Sequence, residues 1–201
     1  MASPAGGGER VESIRIIRDE HRSLSAVLRG MLYLVREIRY AGAAPDFEVF
    51  RAMVHYLEAF SERFHHPKED AYLFRRLRVR CPDAGPLLDR LHAEHAVGTE
   101  KVRELVAALA TYERDPAGFA GFATALAAYA AFHYSHMRAE EDEVLPLARA
   151  HLGPEDWKEI DSAFAGHTNP LFSPDASARY TQLFRRIVDL APPPIGTGAA
   201  R

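Results

Sequence analysis

Four long segments of this sequence carry apolar residues at alternating spacings of three and four, and this pattern limits the folds available to the chain. Such spacing places the apolar residues along one face of an α-helix, where they form a stripe that packs against other helices. The sequence therefore predicts four long amphipathic helices. They are expected over residues 13–40, 46–80, 86–112 and 116–151.

Short breaks that contain glycine and proline separate the four helices, and no stretch alternates with period two for long enough to predict a strand. Four such helices with short connections favour an all-α fold, namely an up-down-up-down four-helix bundle. Two shorter helices are predicted after the bundle, over residues 154–166 and 175–190, and a proline-rich extended tail follows them.

Three regions are expected along the chain. They are a flexible N-terminal segment over residues 1–12, the bundle over 13–152, and a C-terminal helical extension with its tail over 153–201. Within the bundle, Pro67 and Pro146 are expected to kink the second and fourth helices. Proline has this effect because it lacks a backbone N–H and crowds the preceding turn of the helix.

Each of the four apolar stripes contains at least one histidine where an apolar residue would be expected. The four are His21, His65, His95 and His136. Two of the stripes also contain a glutamate one turn later, because Glu69 follows His65 by four residues and Glu140 follows His136 by four. Residues four apart lie on the same face of a helix. The bundle interior is therefore predicted to contain four imidazoles and two carboxylates.

A single histidine on an apolar face is more often a hydrogen-bonded core residue than a ligand. Two ionised glutamates in a core are costly unless they have partners, and metal ions beside four imidazoles would provide them. The sequence therefore predicts a metal site. Its predicted ligands are His21, His65, Glu69, His95, His136 and Glu140. Salt bridges between histidine and glutamate without a metal remain an alternative, but they would not explain the convergence of four helices.

Six ligands exceed the four that a single zinc ion prefers. Shared between two ions, with bridging carboxylates, they form a set of nitrogen and oxygen donors that suits iron or manganese. The single cysteine, Cys81, lies in a predicted turn and does not add a soft donor. Two iron ions are the expected cofactor, with manganese or zinc as alternatives.

The residues around these ligands also resemble the hemerythrin family, in its HHE cation-binding branch, over about residues 12–150. The resemblance depends on four motifs that occur in the expected order. They are Asp19-Glu20-His21, His65-His66-x-x-Glu69-Asp70, Glu94-His95 and His136-Met137-x-x-Glu140-Glu141. It implies a four-helix bundle around a non-haem di-iron centre, in which the six predicted residues are the ligands and Glu69 and Glu140 the bridges.

The sequence departs from the family at one point. Oxygen-carrying hemerythrins have two histidines four apart on the third helix, whereas the residues four away from His95 are Leu91 and Thr99. The candidates for a fifth histidine ligand are His133, His92 and His66. His133 is favoured because it precedes His136 by three residues on the same stripe. Without a fifth histidine, water would fill the position.

The resemblance implies a protein that binds, stores or senses dioxygen, iron or nitric oxide, and dioxygen or a related small ligand is the expected partner. One alternative is a di-iron oxidoreductase that acts on ferrous iron, peroxide or nitric oxide, with Tyr129 or His133 as proton donor. Another is a structural metal-binding or interaction module.

Composition and charge reduce the number of functional classes that fit the sequence. A formal charge of −3 and an isoelectric point near 6.4 do not favour a nucleic-acid partner. The apolar run over residues 119–132 is shorter than the roughly 20 residues that span a bilayer, and no signal-peptide pattern is present at the N-terminus. One cysteine fits a reducing compartment. We therefore expect a cytoplasmic protein without a membrane partner, either a monomer or a weak homodimer.

Overall fold

The computed structural model describes residues 11–61 and 65–165, with the side chain of residue 60 left out. The regular secondary structure of the described residues is entirely helical, without strands, which confirms the all-α prediction. None of the helices in these two ranges is both long enough and apolar enough to cross a membrane. The helix predicted over 175–190 lies outside the described residues, as do most of the N-terminal segment and the tail.

The helices follow the predicted segments closely, with π-helical interruptions near Pro67 and Pro146, where the sequence predicts kinks, and with Ser61 and His65 also in π-helical conformation. The α-helices are α1 (Glu12–Ala41), α2 (Phe47–Phe60), α3 (His66–Lys68), α4 (Arg75–Arg80), α5 (Gly85–Arg114), α6 (Phe119–Ala139), α7 (Leu145–His151) and α8 (Pro154–Ala165). Two π-helical segments, Glu69–Phe74 and Glu140–Val144, join α3 to α4 and α6 to α7. Short 3₁₀ turns precede α5 and α6.

Single residues determine where α1 ends and where α2 begins. Gly42 adopts a left-handed backbone conformation with φ of 69°, and its N–H donates to the carbonyl of Glu37 to close α1. The side chain of Asp46 accepts from the backbone N–H groups of Glu48 and Val49 and so caps α2. These two residues set the length of the connection between α1 and α2.

Both π-helical segments lie beside a proline and begin with a glutamate of the predicted site. Pro67 lies just before Glu69, and Pro146 lies just after the second segment. Because Pro146 has no N–H, it cannot form the regular bond to the carbonyl four residues earlier. The preceding residue, Leu145, instead donates to the carbonyl of Glu140, five residues back. Single π turns of this kind occur often at functional sites.

The apolar interior consists of two clusters with a polar layer between them. On α1, Ile14 and Ile17 belong to one cluster and the residues from Leu24 onward belong to the other. On α5, Leu88 and Leu91 likewise belong to a different cluster from the residues that follow Gly98. The histidines and glutamates lie where one cluster gives way to the other, so that water is excluded from both ends of the layer.

The short helix α8 packs on the flank of the bundle, against α1 and the first π-helical segment. Ile160 and Phe164 are fully buried and belong to one of the apolar clusters. The carboxylate of Asp161 accepts from the backbone N–H of Ser13 at 2.8 Å, which holds α8 to the start of α1. Arg80 adds an ion pair to Asp156 at 2.8 Å.

Candidate metal centre

The six predicted ligands all lie in the polar layer, and each is between 1% and 6% exposed. Together with His66, they form two neighbouring groups of donor atoms. Within each group, one ligand atom from every residue lies within 4.8 Å of the others. The first group is His21, His65, Glu69 and Glu140. The second group is His66, His95 and His136.

The two glutamates belong to the first group but also face the second, so that each presents one oxygen to imidazoles of either group. Oε1 of Glu69 is 3.4 Å from Nε2 of His65, and its Oε2 is 3.9 Å from Nε2 of His95. Oε2 of Glu140 is 3.2 Å from Nε2 of His21, and its Oε1 is 3.2 Å from Nε2 of His136. Carboxylates placed in this way could bridge two cations, one held by each group.

The donor atoms that face the interior lack hydrogen-bond partners. Among the described residues, neither oxygen of Glu69 or of Glu140 is hydrogen-bonded, and the same holds for Nε2 of His95 and of His136. Buried polar atoms without partners are costly, and buried charges more so. Cations would satisfy all of these atoms at once, so that the residues fit a pair of bound metal ions.

The pKa shifts of the two glutamates differ in direction. Burial and the negative charge of Glu140 raise the pKa of Glu69 well above its usual value. Burial would also raise the pKa of Glu140, but the nearby imidazoles of His136, His21 and His95 hold it well below its usual value. Without a metal, burial thus favours a proton on Glu69, whereas two cations would favour ionisation of both carboxylates.

Four of the histidines are fixed by carboxylates outside the polar layer. Nδ1 of each lies within hydrogen-bond distance of one carboxylate oxygen, which can only accept. The pairs are His21 with Glu141 at 2.8 Å, His65 with Glu20 at 2.8 Å, His95 with Asp70 at 2.9 Å and His136 with Glu94 at 2.8 Å. When Nδ1 donates to the carboxylate and the imidazole is neutral, the lone pair of Nε2 is directed at the interior, as ligating histidines require.

The same four pairs connect the helices in a ring. Glu20 of α1 supports His65, and Asp70, which follows Glu69, supports His95 of α5. Glu94 of α5 supports His136 of α6, and Glu141 of the second π-helical segment supports His21 of α1. Each carboxylate is a sequence neighbour of a predicted ligand. The sequence analysis included them in the motifs without giving them a role.

The fifth histidine near the centre is His66, whereas the sequence analysis favoured His133. The His66 ring stacks on that of His95, with centroids 4.2 Å apart and an angle of 9° between the planes. His133 belongs to neither group, and its ring centroid lies 6.5 Å from that of His136. Consecutive residues point about 100° apart on a helix, so that His65 and His66 can flank one interior from a single turn.

His133 and His92 lie beside the centre. His133 is 2% exposed and contacts the ring of Tyr129, with centroids 4.3 Å apart. Burial, with the nearby charges of His136 and His65, lowers the pKa of His133 to about 3, so that it is neutral at pH 7. His92 is exposed at the rim, where its Nδ1 lies 3.0 Å from Oδ1 of Asp70.

A buried lysine lies outside the ring of histidines. Nζ of Lys68 is 3.5 Å from Oε1 of Glu20 and 4.9 Å from the centroid of the Phe164 ring. The lysine side chain is 7% exposed and that of Glu20 is 1% exposed. Glu20 therefore balances the charge of Lys68 while its other oxygen supports His65, and α8 covers the pair.

Comparison with known proteins gives one match. The family model described as Hemerythrin HHE cation binding domain matches residues 12–148, which is more than half of the chain. The matched residues contain both groups of donor atoms and all four supporting carboxylates. No curated protein and no solved structure matches the chain at a significant level.

Proposed function

Because the chain belongs to the hemerythrin HHE cation-binding domain family, we propose that it holds two iron ions in its polar layer and binds dioxygen or a related small ligand there. The observation that carries this proposal is the position of Glu69 and Glu140. Both carboxylates present oxygens to two groups of imidazoles, and none of these oxygens has a hydrogen-bond partner among the described residues.

The proposed architecture is an up-down-up-down bundle of four rods. The first rod is α1 and the third is α5. The second rod extends from α2 to α4, and the fourth extends from α6 to α7. Contacts support a closed arrangement, because α1 packs on α2, α2 on α5, α5 on α6, and α6 on α1. Such a bundle directs side chains from all four rods to one interior layer.

We assign seven ligands to the two ions. His21 and His65 hold the first ion, His66, His95 and His136 hold the second, and both carboxylates bridge them. His66 thereby takes the place that the sequence analysis offered first to His133. The first ion receives fewer donors from the chain than the second. It is therefore where we place the small ligand.

A bound pair of irons would supply the ligand-binding and redox chemistry. The chain contributes three things. The carboxylate–histidine pairs orient the Nε2 atoms, the two apolar clusters exclude water from the layer, and Glu69 and Glu140 provide negative charge that bound cations would balance.

The second candidate is a di-iron oxidoreductase that acts on ferrous iron, peroxide or nitric oxide. The observation in its favour is His133, because Nε2 of this buried, neutral imidazole has no hydrogen-bond partner among the described residues. Its ring lies beside those of His66 and Tyr129. A neutral imidazole there could donate a hydrogen bond to a substrate, or transfer a proton to it.

The deciding experiment combines metal analysis with an anaerobic titration of the ferrous protein with oxygen. We expect two irons per chain and a new charge-transfer absorption band on addition of oxygen that reverses when oxygen is removed. Irreversible oxidation with product turnover would favour the oxidoreductase. A single zinc ion per chain would contradict both candidates and favour a structural metal.

Substitution of the bridging carboxylate tests the ligand assignment itself. Glu69→Ala should remove one or both irons and lower the thermal stability of the loaded protein, because buried imidazoles would then lack their shared anion. Glu100→Ala, on the exposed face of α5, is the matched control and should keep both ions. Unchanged iron content in Glu69→Ala would exclude Glu69 as a bridge.

A further inference from the structure

A second feature of the molecule is an open cleft of about 390 Å³ between α1 and α6, beside the polar layer. Its α1 side includes His21, Ser25 and Arg29, and its other side includes Tyr134 and Arg138 of α6. We propose that this cleft binds a small anion, a carboxylate or a phosphate, between Arg29, Arg138 and Tyr134. The proposed function does not require this site, and the site does not require bound metal.

The two arginines are the first support. Arg29 and Arg138 line the cleft, and their guanidinium groups form no ion pair with any described residue. Arg22 also lines the cleft, but it already pairs with Asp19 on its own helix. Guanidinium groups bind carboxylates and phosphates through paired N–H donors, so that two unpaired ones across a cleft suit an anion.

The hydroxyl of Tyr134 is the second support. Tyr134 lines the cleft, and its hydroxyl is buried without a hydrogen-bond partner among the described residues. Arg29 lines the same cleft from α1. An anion oxygen would accept from both groups, whereas a cation or an apolar molecule would leave the donors unsatisfied.

Two acidic residues also line the cleft and reduce its net positive charge. Glu141 is engaged, since its carboxylate accepts from Nδ1 of His21 and lies 4.0 Å from Arg18. Asp142 is exposed and forms no ion pair among the described residues. It therefore opposes a bound anion, and its removal should strengthen binding.

The test is calorimetric titration of the full-length chain, stripped of metal with a chelator, so that no metal-bound anion contributes. Inorganic phosphate and acetate are added in separate titrations at low, constant ionic strength, because salt screens exposed charges. We expect one anion to bind per chain. The anion that binds more tightly identifies the class of ligand.

Four variants make the result specific to the cleft. Arg138→Gln should weaken binding at least tenfold, Tyr134→Phe should weaken it severalfold, and Asp142→Asn should strengthen it. Arg103→Gln is the control, since Arg103 lies on α5 and pairs with Glu100. Thermal melts of all four variants verify that they are folded.

Two results would overturn the proposal. One is the absence of saturable binding of either anion to the unaltered chain. The other is equal binding by Arg138→Gln and by Arg103→Gln. Iron content, measured separately on reloaded protein, is a test of the metal centre alone, and a failure of one site therefore cannot be mistaken for a failure of the other.

Discussion

His66 shows how closely a residue's role depends on its angle around the helix. His133 continues an apolar stripe and His66 does not, and on this criterion the sequence favoured His133 as the fifth histidine ligand. The structure instead places His66 with His95 and His136, in one group of donor atoms. A stripe of apolar residues identifies the centre of the buried face of a helix, but it does not show how far around the helix that face extends. His66 lies away from the stripe and is nevertheless within the buried face.

The pair of histidines gives a matched test. His66→Ala should remove one of the two irons, because the second ion would lose one of its three imidazoles. His133→Ala should leave both irons bound, since His133 belongs to neither group of donor atoms. Metal analysis of the two purified variants measures this. Loss of iron from His133→Ala but not from His66→Ala would instead identify His133 as the ligand.

The supporting carboxylates act through the histidines that they hold. Glu94→Gln should keep a hydrogen-bond partner near Nδ1 of His136 but remove its negative charge. Because mutation of such a partner typically lowers metal affinity by about 10- to 100-fold, Glu94→Gln should lower it by up to this amount. Competition with a chelator of known affinity measures the change. Glu104→Gln, on the exposed surface of the same helix, should leave the affinity unaltered.

Residue identity was sufficient to predict six of the seven donor residues that the structure brings together. Each of the six interrupts an apolar stripe, and a buried polar residue is conspicuous in such a pattern. The four supporting carboxylates were not predicted, because each faces a neighbouring helix. Which residues meet across two helices depends on the rotation of both, and a single helical pattern does not contain that information.

The π-helical segments explain a repeated spacing of four residues in the sequence. His65, Glu69 and Leu73 follow one another by four residues, as do His136, Glu140 and Val144. On a regular helix each step of four advances about 40° beyond a full turn, so that the three residues would drift off one face. A locally wider turn offsets that drift. Two successive steps of four around a glutamate could therefore have predicted both segments.

At the scale of elements, α8 contributes stability from the flank of the bundle. Phe164→Ala should lower the free energy of unfolding by about 3–5 kcal/mol, because the fully buried ring leaves a cavity beside Lys68. Urea denaturation of the metal-free protein measures this. Val79→Ala, at a residue that is 69% exposed, should change it by less than about 0.5 kcal/mol.

The helices themselves were predictable because their boundaries have local causes. Gly42 and Asp46 end one helix and begin the next through backbone conformation and side-chain capping, and both effects are visible in the sequence. The packing of α8 was not predicted. It depends on Asp161 reaching Ser13 and on Phe164 reaching Lys68, which are contacts between residues far apart in the chain.

For the whole molecule, we expect the stability of the metal-free protein to decrease as pH rises from about 6.5 to about 9. Burial would lower the pKa values of His21 and His95, but their carboxylate partners raise both to about 9. A raised histidine pKa stabilises the folded state fully below the unfolded value, and this contribution is lost as pH passes the folded value. The raised pKa of Glu69 acts in the same direction.

Thermal or urea unfolding at several pH values measures this dependence, and the loss should be on the order of a few kcal/mol. Iron-loaded protein should not show it, because bound cations replace the protons on the same side chains. Stability of the metal-free chain that stays constant or increases across this range would contradict the assigned charges.

The cytoplasmic location and the monomeric or weakly dimeric state remain predictions.

The ring of carboxylate–histidine pairs has a consequence for how such a centre can change. Every rod supplies one imidazole and also the hydrogen-bond partner of an imidazole on the next rod. Rotation or sliding of any single rod would thus misalign two donors on two different rods. Adjustments of the centre are therefore confined to concerted movements of all four rods, and a rod exchanged with one from another protein would have to match both of its neighbours.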